Sequence, residues 1–154
     1  MCHFVGDGLD REALSTLVDQ AGLSDKIRFL GRLSRDEIAQ LLLDADVLAA
    51  PNGTTRDGRR VGIPVVLMES MGSGVPIVAS NISGNPELVK DKIMGLLVPP
   101  RDAALLTDAL ETYYKEPGLR HQLGQAGRDR VLDDFDLKKN TVELMQHIIK
   151  DGRK

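Results

Sequence analysis

Hydrophobic and polar positions along the chain follow two alternating periods. Short, nearly continuous apolar runs predict buried β-strands, and longer segments whose apolar residues recur every third or fourth position predict amphipathic α-helices. Strands are predicted at residues 2–5, 26–31, 46–52, 76–80 and 95–100. Helices are predicted between them and then alone to the end, at residues 9–22, 35–45, 64–74, 86–90, 102–114, 118–134 and 136–150.

Two helix starts carry local signals. Ser34 fits an N-cap, and Glu37, three residues later, completes a capping box. Pro64 is expected in the first turn of its helix, where a missing N–H has no consequence, and Gly72 and Gly74 mark the end of that helix.

The alternation of apolar strands and helices predicts the fold class. It indicates an α/β protein, a Rossmann-like, doubly wound parallel sheet covered by helices on both faces. We expect one domain, residues 1–154, with the C-terminal helices at 102–150. Such sheets bind ligands beyond the carboxyl ends of their strands. The loops at those ends are 6–9, 31–34, 51–64, 80–86 and 98–102.

Composition and charge narrow the function. The chain is 42% hydrophobic and 28% charged, which is ordinary for a globular protein, and its net charge of −3 argues against a nucleic-acid partner. Its single cysteine excludes a disulfide framework and fits a reducing compartment. With no signal peptide and no apolar run of about 20 residues, a cytoplasmic location is expected. The three histidines lack metal-ligand spacing, so no metal site is predicted. Nothing in the sequence resembles a Ser-His-Asp or Cys-His arrangement, so no catalytic residue is predicted.

Two glycine-containing loops each leave two interpretations open. Gly6 and Gly8 join a strand to a helix, either as a simple tight turn or as a close approach to a ligand; Arg11 stands where a dinucleotide fingerprint needs glycine. The loop at 51–62 holds Arg59 and Arg60 before a helix N-terminus. It either binds an anionic group such as a phosphate or exposes solvated arginines.

Glu69 is the sharpest single candidate. It lies in an apolar helical segment, where a buried carboxylate is costly unless strong donors meet it. Either it faces solvent, or it accepts hydrogen bonds from a diol such as a ribose.

The ordered motifs resemble a known family. The segments "FVGDG", "KIRFLGRLS", "GIPVVLMESMGSGVPIVAS", "SGNPELV" and "GLLVPPRD" resemble the C-terminal, donor-binding half of GT-B retaining glycosyltransferases of family four (glycosyl transferases group 1), over residues 3–148. The variant with a long loop before "GIPVVLMESM" resembles members that build bacterial exopolysaccharides. Because "CHFV" begins the chain directly, the resemblance implies that a first strand and helix, an N-terminal domain and a basic pair that grips diphosphate are missing.

The resemblance also implies roles for individual residues. In the family two glutamates are separated by seven residues; the second, which takes the ribose hydroxyls, matches Glu69, and the first matches Val61, which cannot form such hydrogen bonds. The other implied donor-binding residues are the sugar- and diphosphate-facing Gly62, Ile63, Pro64 and Val65, the base-framing Arg32 and Leu33, and, as substitutes for the missing basic pair, Arg59 and Arg60.

The resemblance implies sugar transfer from a UDP- or GDP-linked donor, with retention and without metal or cofactor. The acceptor, a glycan or lipid-linked sugar, would bind the missing N-terminal domain, so this chain alone is expected to be inactive. Peripheral membrane association is possible for the full-length enzyme. The alternative, favoured by Val61, is a degenerate, non-catalytic module for binding or assembly.

Overall fold

The computed structural model describes residues 1–53 and 62–151, and the chain forms two compact units, Met1–Leu41 and Leu42–Lys154. Strands and helices alternate in the predicted order, with each boundary within a few residues of its expected place. In chain order the elements are β1 Cys2–Val5, α1 Arg11–Gln20, β2 Ile27–Gly31, α2 Arg35–Leu43, β3 Leu48–Ala50, α3 Val65–Gly72, β4 Ile77–Ser80, α4 Asn85–Leu88, β5 Leu96–Val98, α5 Ala103–Lys115, α6 Pro117–Asp134 and α7 Leu137–Asp151.

The first unit is built on a two-stranded parallel sheet. Strands β1 and β2 pair with Phe4 opposite Phe29, whose rings stack with centroids 5.2 Å apart. The prediction that every strand is buried is wrong for β1, whose four residues are all exposed. Phe4 and Val5 are 44% and 45% exposed because α1 buries none of its own residues and does not form a closed layer over the strand.

The start of α2 confirms the predicted capping box. The Ser34 N–H donates to the Glu37 carboxylate at 2.7 Å, and the Glu37 N–H donates to Ser34 Oγ at 3.3 Å. The backbone and hydroxyl hydrogen bonds from Ser34, in that order, hold the pKa of Glu37 below its usual range. The box therefore stabilises the helix at neutral pH and loses that effect as acid protonates the carboxylate.

The second unit contains a three-stranded parallel sheet in the order β3-β4-β5. All four residues of the central strand β4 are buried. Ile77 and Ala79 pack into one core with α3 and α4, and Val78 packs into a second core with α5 and α6. Helices on both faces confirm the predicted α/β class, although the strands of the described residues form two parallel sheets instead of one.

Helix α6 packs closely on the end of α3 through its glycines. A Cβ atom at Gly124 would lie 2.3 Å from the carbonyl oxygen of Gly74, and one at Gly127 would lie 3.2 Å from that of Met94. The Arg128 guanidinium donates to the carbonyl oxygen of Gly72, the last residue of α3. Since these contacts involve backbone, α6 is held closely against the end of α3, the turn at Gly74 and the segment before β5.

The last helix, α7, differs from α5 and α6. Its residues 137–149 are all exposed, including the apolar side chains of Leu144 and Ile148. Among the helices in the described part of the chain, none is both long and apolar enough to cross a membrane.

The two adjacent tyrosines of α5 lie in opposite environments. Tyr113 is fully buried against the sheet, and its hydroxyl donates to the carbonyl oxygen of Ile77 at 3.1 Å. Tyr114, by contrast, is 83% exposed. Successive residues of a helix point about 100° apart, so only one of the pair can face the sheet.

We expect Tyr113→Phe to lower the free energy of unfolding by about 1 kcal/mol at neutral pH, because it removes a buried hydrogen bond. Burial, and secondarily the charge of Asp91, raises the pKa of the Tyr113 hydroxyl above its usual range. The neutral phenol therefore contributes its full stability below about pH 10, the pKa of tyrosine in the unfolded chain, and this stability is lost as pH rises further. Urea unfolding at neutral pH and up to about pH 11 measures both effects.

Tyr114→Phe is the matched control because it makes the same chemical change at an exposed position of the same helix. At high pH the free energy of unfolding of Tyr114→Phe should fall as much as that of the wild type. The free energy of unfolding of Tyr113→Phe should fall less. Equal losses in the two variants would contradict the role given to Tyr113.

Candidate functional site

Glu69 lies in the middle of α3 and is partly buried, between the two environments considered for it. Leu67 and Met71, on the inner face of the helix, are buried in the core, and Val65 is exposed. Glu69 is four residues after Val65 and so lies on the same side of the helix. Because helical side chains lean toward the N-terminus of their helix, Val65 and Glu69 are neighbours on that side of α3.

The segment before α3 ends in a proline with an extended backbone. Pro64 is the N-cap residue, with φ −65° and ψ 128°. The sequence predicts it one position later, in the first turn of the helix. Its carbonyl oxygen accepts a hydrogen bond from the Leu67 N–H at 3.0 Å. In the described part of the chain no side chain caps this helix, and its first turn holds no acidic residue. The first-turn N–H groups and the positive end of the helix dipole can therefore meet an anionic group.

The segment before α3 packs against the loop that follows β4. A Cβ atom at Gly84 would lie 2.5 Å from Cγ1 of Ile63, so this contact requires a residue without a side chain. Asn85 fixes the same loop through its N–H, which donates to Ile82, and through its side-chain Nδ2, which donates to Ser80 O at 2.9 Å. From the sequence, this loop was predicted only by its place after a strand, and none of its residues was a candidate. The available signal was the cluster of serine, asparagine and glycine after a buried strand.

The C-terminal end of α3 is held by several hydrogen bonds. The Ser73 hydroxyl donates to the Glu69 carbonyl at 2.9 Å, and the Ser73 N–H donates to the same oxygen at 3.0 Å. The buried Ser70 hydroxyl donates to the Val75 carbonyl at 3.1 Å, which joins the helix to the turn before β4. The backbone that carries Glu69 is therefore rigidly positioned on the sheet.

The structure brings together five of the ten predicted donor-binding residues. These five lie within residues 62–69 of the second unit and are Gly62, Ile63, Pro64, Val65 and Glu69.

Arg32 and Leu33 belong to the first unit, where they follow β2 directly; Arg32 is exposed and Leu33 is half-buried. Gly31 precedes them with φ +70°, a left-handed conformation that favours glycine. The predicted residues Arg59, Arg60 and Val61 lie outside the described residues.

The glycine loop after β1 has the geometry of a tight turn. Gly6 has φ +130°, which other residues rarely adopt, and its N–H donates to Gly31 O at 2.7 Å. Arg11 forms a half-exposed ion pair with Asp7 at 3.6 Å. These contacts support the structural interpretation of the loop.

No group of three or more histidine, cysteine, aspartate or glutamate side chains in residues 1–53 and 62–151 could hold a metal ion. Metal independence stays a prediction, since it concerns the reaction of the intact enzyme.

Comparison with known proteins identifies the family. The model of the family "Glycosyl transferases group 1" matches residues 1–130. The chain belongs to this family. It is 40% identical over 143 residues to the putative colanic acid biosynthesis glycosyltransferase WcaL of Escherichia coli (strain K12), which covers 92% of this chain and 35% of that protein. The chain spans about a third of the length of the curated relatives it matches. The resemblance to members that build bacterial exopolysaccharides agrees with the name of this relative.

Solved structures confirm the predicted fold. Sucrose-phosphate synthase (tll1590) from Thermosynechococcus elongatus superposes with a TM-score of 0.83 at 27% identity, over 96% of this chain and 37% of that one. Anabaena Alr3699/HepE, solved in complex with UDP, superposes with a TM-score of 0.82 at 23% identity, over 96% of this chain and 40% of that one. The second likeness shows the fold alone. Both agree with the Rossmann-like C-terminal half of a GT-B glycosyltransferase.

Proposed function

We propose that this chain is the donor-binding half of a retaining glycosyltransferase, which transfers a sugar from a UDP- or GDP-linked donor to a glycan or lipid-linked acceptor. The observation that supports the proposal most is the position of Glu69, one turn after an α3 N-terminus that no described side chain caps, in a chain of this family. The UDP complex of Alr3699/HepE, which has the same fold, supports a uridine nucleotide as one candidate.

In this proposal each group contacts a different part of the donor. Ribose hydroxyls donate to the Glu69 carboxylate, because an ionised carboxylate accepts such bonds strongly. The diphosphate lies at the α3 N-terminus, where backbone N–H groups stabilise the negative charge that develops as the glycosidic bond breaks. Gly62 and Ile63 bring backbone close to the sugar, and Pro64 offers only its carbonyl oxygen. Arg59 and Arg60 remain candidates from the sequence for additional diphosphate contacts.

The remaining parts of the reaction belong to the proposal as well. The acceptor binds a further domain of the full-length enzyme, which acts in the cytoplasm without a metal and can associate peripherally with a membrane. Resident cofactors are not required, because the nucleotide sugar is itself a substrate. By itself, this chain should bind the donor without transferring its sugar.

Isothermal titration calorimetry with UDP, GDP, UDP-glucose and GDP-mannose tests the proposal. We expect one nucleotide series to bind with a dissociation constant of about 1 µM to 1 mM, the usual range for enzyme substrates. AMP is the control, because it offers a ribose and a phosphate but neither the expected base nor a diphosphate. Failure of all four compounds to bind would contradict the proposal.

The same experiment addresses a second candidate function. Val61, in place of the first family glutamate, favours a degenerate module kept for binding or assembly. Such a module need not bind any nucleotide, so failure of the whole panel with a correctly folded chain would favour it.

A further inference from the structure

A cavity with a few polar side chains lies at the carboxyl ends of β3, β4 and β5, and no residue of α3 lines it. It has a volume of about 300 Å³ and lies entirely in the second unit. This volume is at the lower end of the range of small-molecule sites, about 300–1,000 Å³, so the cavity admits one ring-sized group. Its lining includes the polar side chains of Ser80, Arg101 and Asp102.

The side chain of Ser80 has unused hydrogen-bonding capacity at this cavity. Ser80 is only 1% exposed and lines the cavity, yet its Oγ has no hydrogen-bond partner within residues 1–53 and 62–151. A buried hydroxyl without a partner is costly, and most buried polar groups in folded proteins are paired. The other unpartnered buried side-chain oxygen in the same residues is Oδ1 of Asn85, the first residue of α4, which does not line the cavity. Of these two atoms, only Ser80 Oγ belongs to a residue of the cavity lining.

The backbone at Arg101, another residue of the lining, is strained. Arg101 has φ +62°, a left-handed conformation that is rare for residues other than glycine. Its guanidinium lies over Gly53, with Nε 3.7 Å from the position of an added Cβ atom there. Such strain persists where the surrounding structure over-determines it, and it occurs frequently at binding sites.

The charges of the lining select the class of ligand. Among the described lining residues only Arg101 and Asp102 are charged, and their charges are opposite. Asp102 is held at the start of α5, where its carboxylate accepts from the Leu105 N–H at 2.9 Å. A free anion would be repelled by Asp102 and a free cation by Arg101. A neutral group with hydroxyls, which both donate and accept, can instead bind a guanidinium, a carboxylate and a serine hydroxyl together.

We propose that this cavity is a subsite for a neutral pyranose ring, with Ser80, Arg101 and Asp102 as its polar contacts. Val98, Pro99 and Leu106 supply apolar surface for the C–H face of the ring. The inference deepens the proposed function, on which it rests for the presence of sugars. The ring belongs either to the donor or to an acceptor glycan. The loop after β4 connects the cavity to the donor segment, because it runs from Ser80 to the Gly84 contact with Ile63.

Two buried serines provide a matched pair of variants. The Ser70 hydroxyl is as buried as that of Ser80 but donates to Val75 O. Ser70→Ala should therefore lower the urea midpoint of unfolding and leave sugar binding unchanged. Ser80→Ala removes an unpartnered hydroxyl, so it should leave the midpoint unchanged or raise it, while weakening pyranose binding about fivefold, the usual effect of one hydrogen bond.

Binding is measured on the whole chain by titration in ¹H–¹⁵N NMR spectra. The probes are methyl α-glucopyranoside, methyl α-mannopyranoside, methyl α-galactopyranoside, UDP, GDP, UDP-glucose and GDP-mannose. We expect saturable shifts of the Ser80, Arg101 and Asp102 amides. Shifts with the methyl glycosides in the presence of bound nucleotide indicate an acceptor subsite, and shifts only with the nucleotide sugars indicate the donor ring.

Three outcomes would overturn the subsite proposal. The first is that none of the sugar compounds shifts these amides, and the second is that Ser80→Ala binds as tightly as the wild type. The third is that Ser80→Ala lowers the midpoint as much as Ser70→Ala, which would show that the hydroxyl has a structural partner such as a buried water. Binding of UDP or GDP alone, without an effect of any sugar, would sustain the proposed function and reject the subsite.

Discussion

Gly124→Ala is expected to lower the free energy of unfolding by about 3 kcal/mol, the upper part of the usual range for overpacking. The added methyl carbon would lie 2.3 Å from the carbonyl oxygen of Gly74 and 3.3 Å from Cδ of Pro76. Because the nearest atom belongs to the backbone, no rotamer change relieves the contact. Instead α6 must move away from α3, which weakens the packing that fixes the end of α3. The midpoint and slope of urea unfolding, followed by circular dichroism, measure the loss.

Gly118→Ala is the control for this prediction on the same helix. A Cβ atom at Gly118 would meet nothing within 4 Å, so the substitution adds helix propensity without a clash. It should raise the free energy of unfolding by about 0.5 kcal/mol. If Gly124→Ala were as stable as Gly118→Ala, the close approach of α6 to the turn at Gly74 would be wrong.

Features that depend on neighbouring residues were predictable from the sequence. Ser34 and Glu37 form the predicted capping box because all its donors and acceptors lie within four consecutive positions. The strand and helix order was also predictable, since the alternation of short apolar runs and helical periodicity determines it locally. Glu69 was singled out because a carboxylate interrupts an apolar segment.

Features that depend on contacts between distant segments were not predicted. The Gly124 contact with Gly74 joins residues far apart in the chain, and the available signal was a pair of glycines three positions apart inside a predicted helix. Ser80 was assigned only to a strand end, because the sequence does not show whether its hydroxyl finds a partner. Burial of β1 was overestimated for a related reason: an apolar strand is buried only where other elements cover it, and its own residues do not specify them.

Glu69→Ala is expected to weaken nucleotide binding by about 10- to 100-fold, since hydrogen bonds to charged groups are worth about 1.5–3 kcal/mol. The loss should be smaller for a nucleotide that already lacks a ribose hydroxyl, because the variant and the ligand would then remove the same interaction. Calorimetry of the wild type and the variant with UDP and 2′-deoxy-UDP, or with the GDP pair if GDP is the ligand, forms a double-mutant cycle. Its coupling energy isolates the contact between the carboxylate and the ribose.

Glu87→Ala is the matched control, because Glu87 is an exposed glutamate on α4 and the substitution removes the same charge from the same unit. It should bind UDP as the wild type does and show the full penalty for 2′-deoxy-UDP. Glu69→Ala should show little of that penalty while keeping a cooperative unfolding transition. A deoxy penalty of equal size in both variants would place the ribose elsewhere, even if Glu69→Ala binds more weakly. The cycle therefore separates a direct contact with the ribose from a general effect of charge on the approach of an anionic nucleotide.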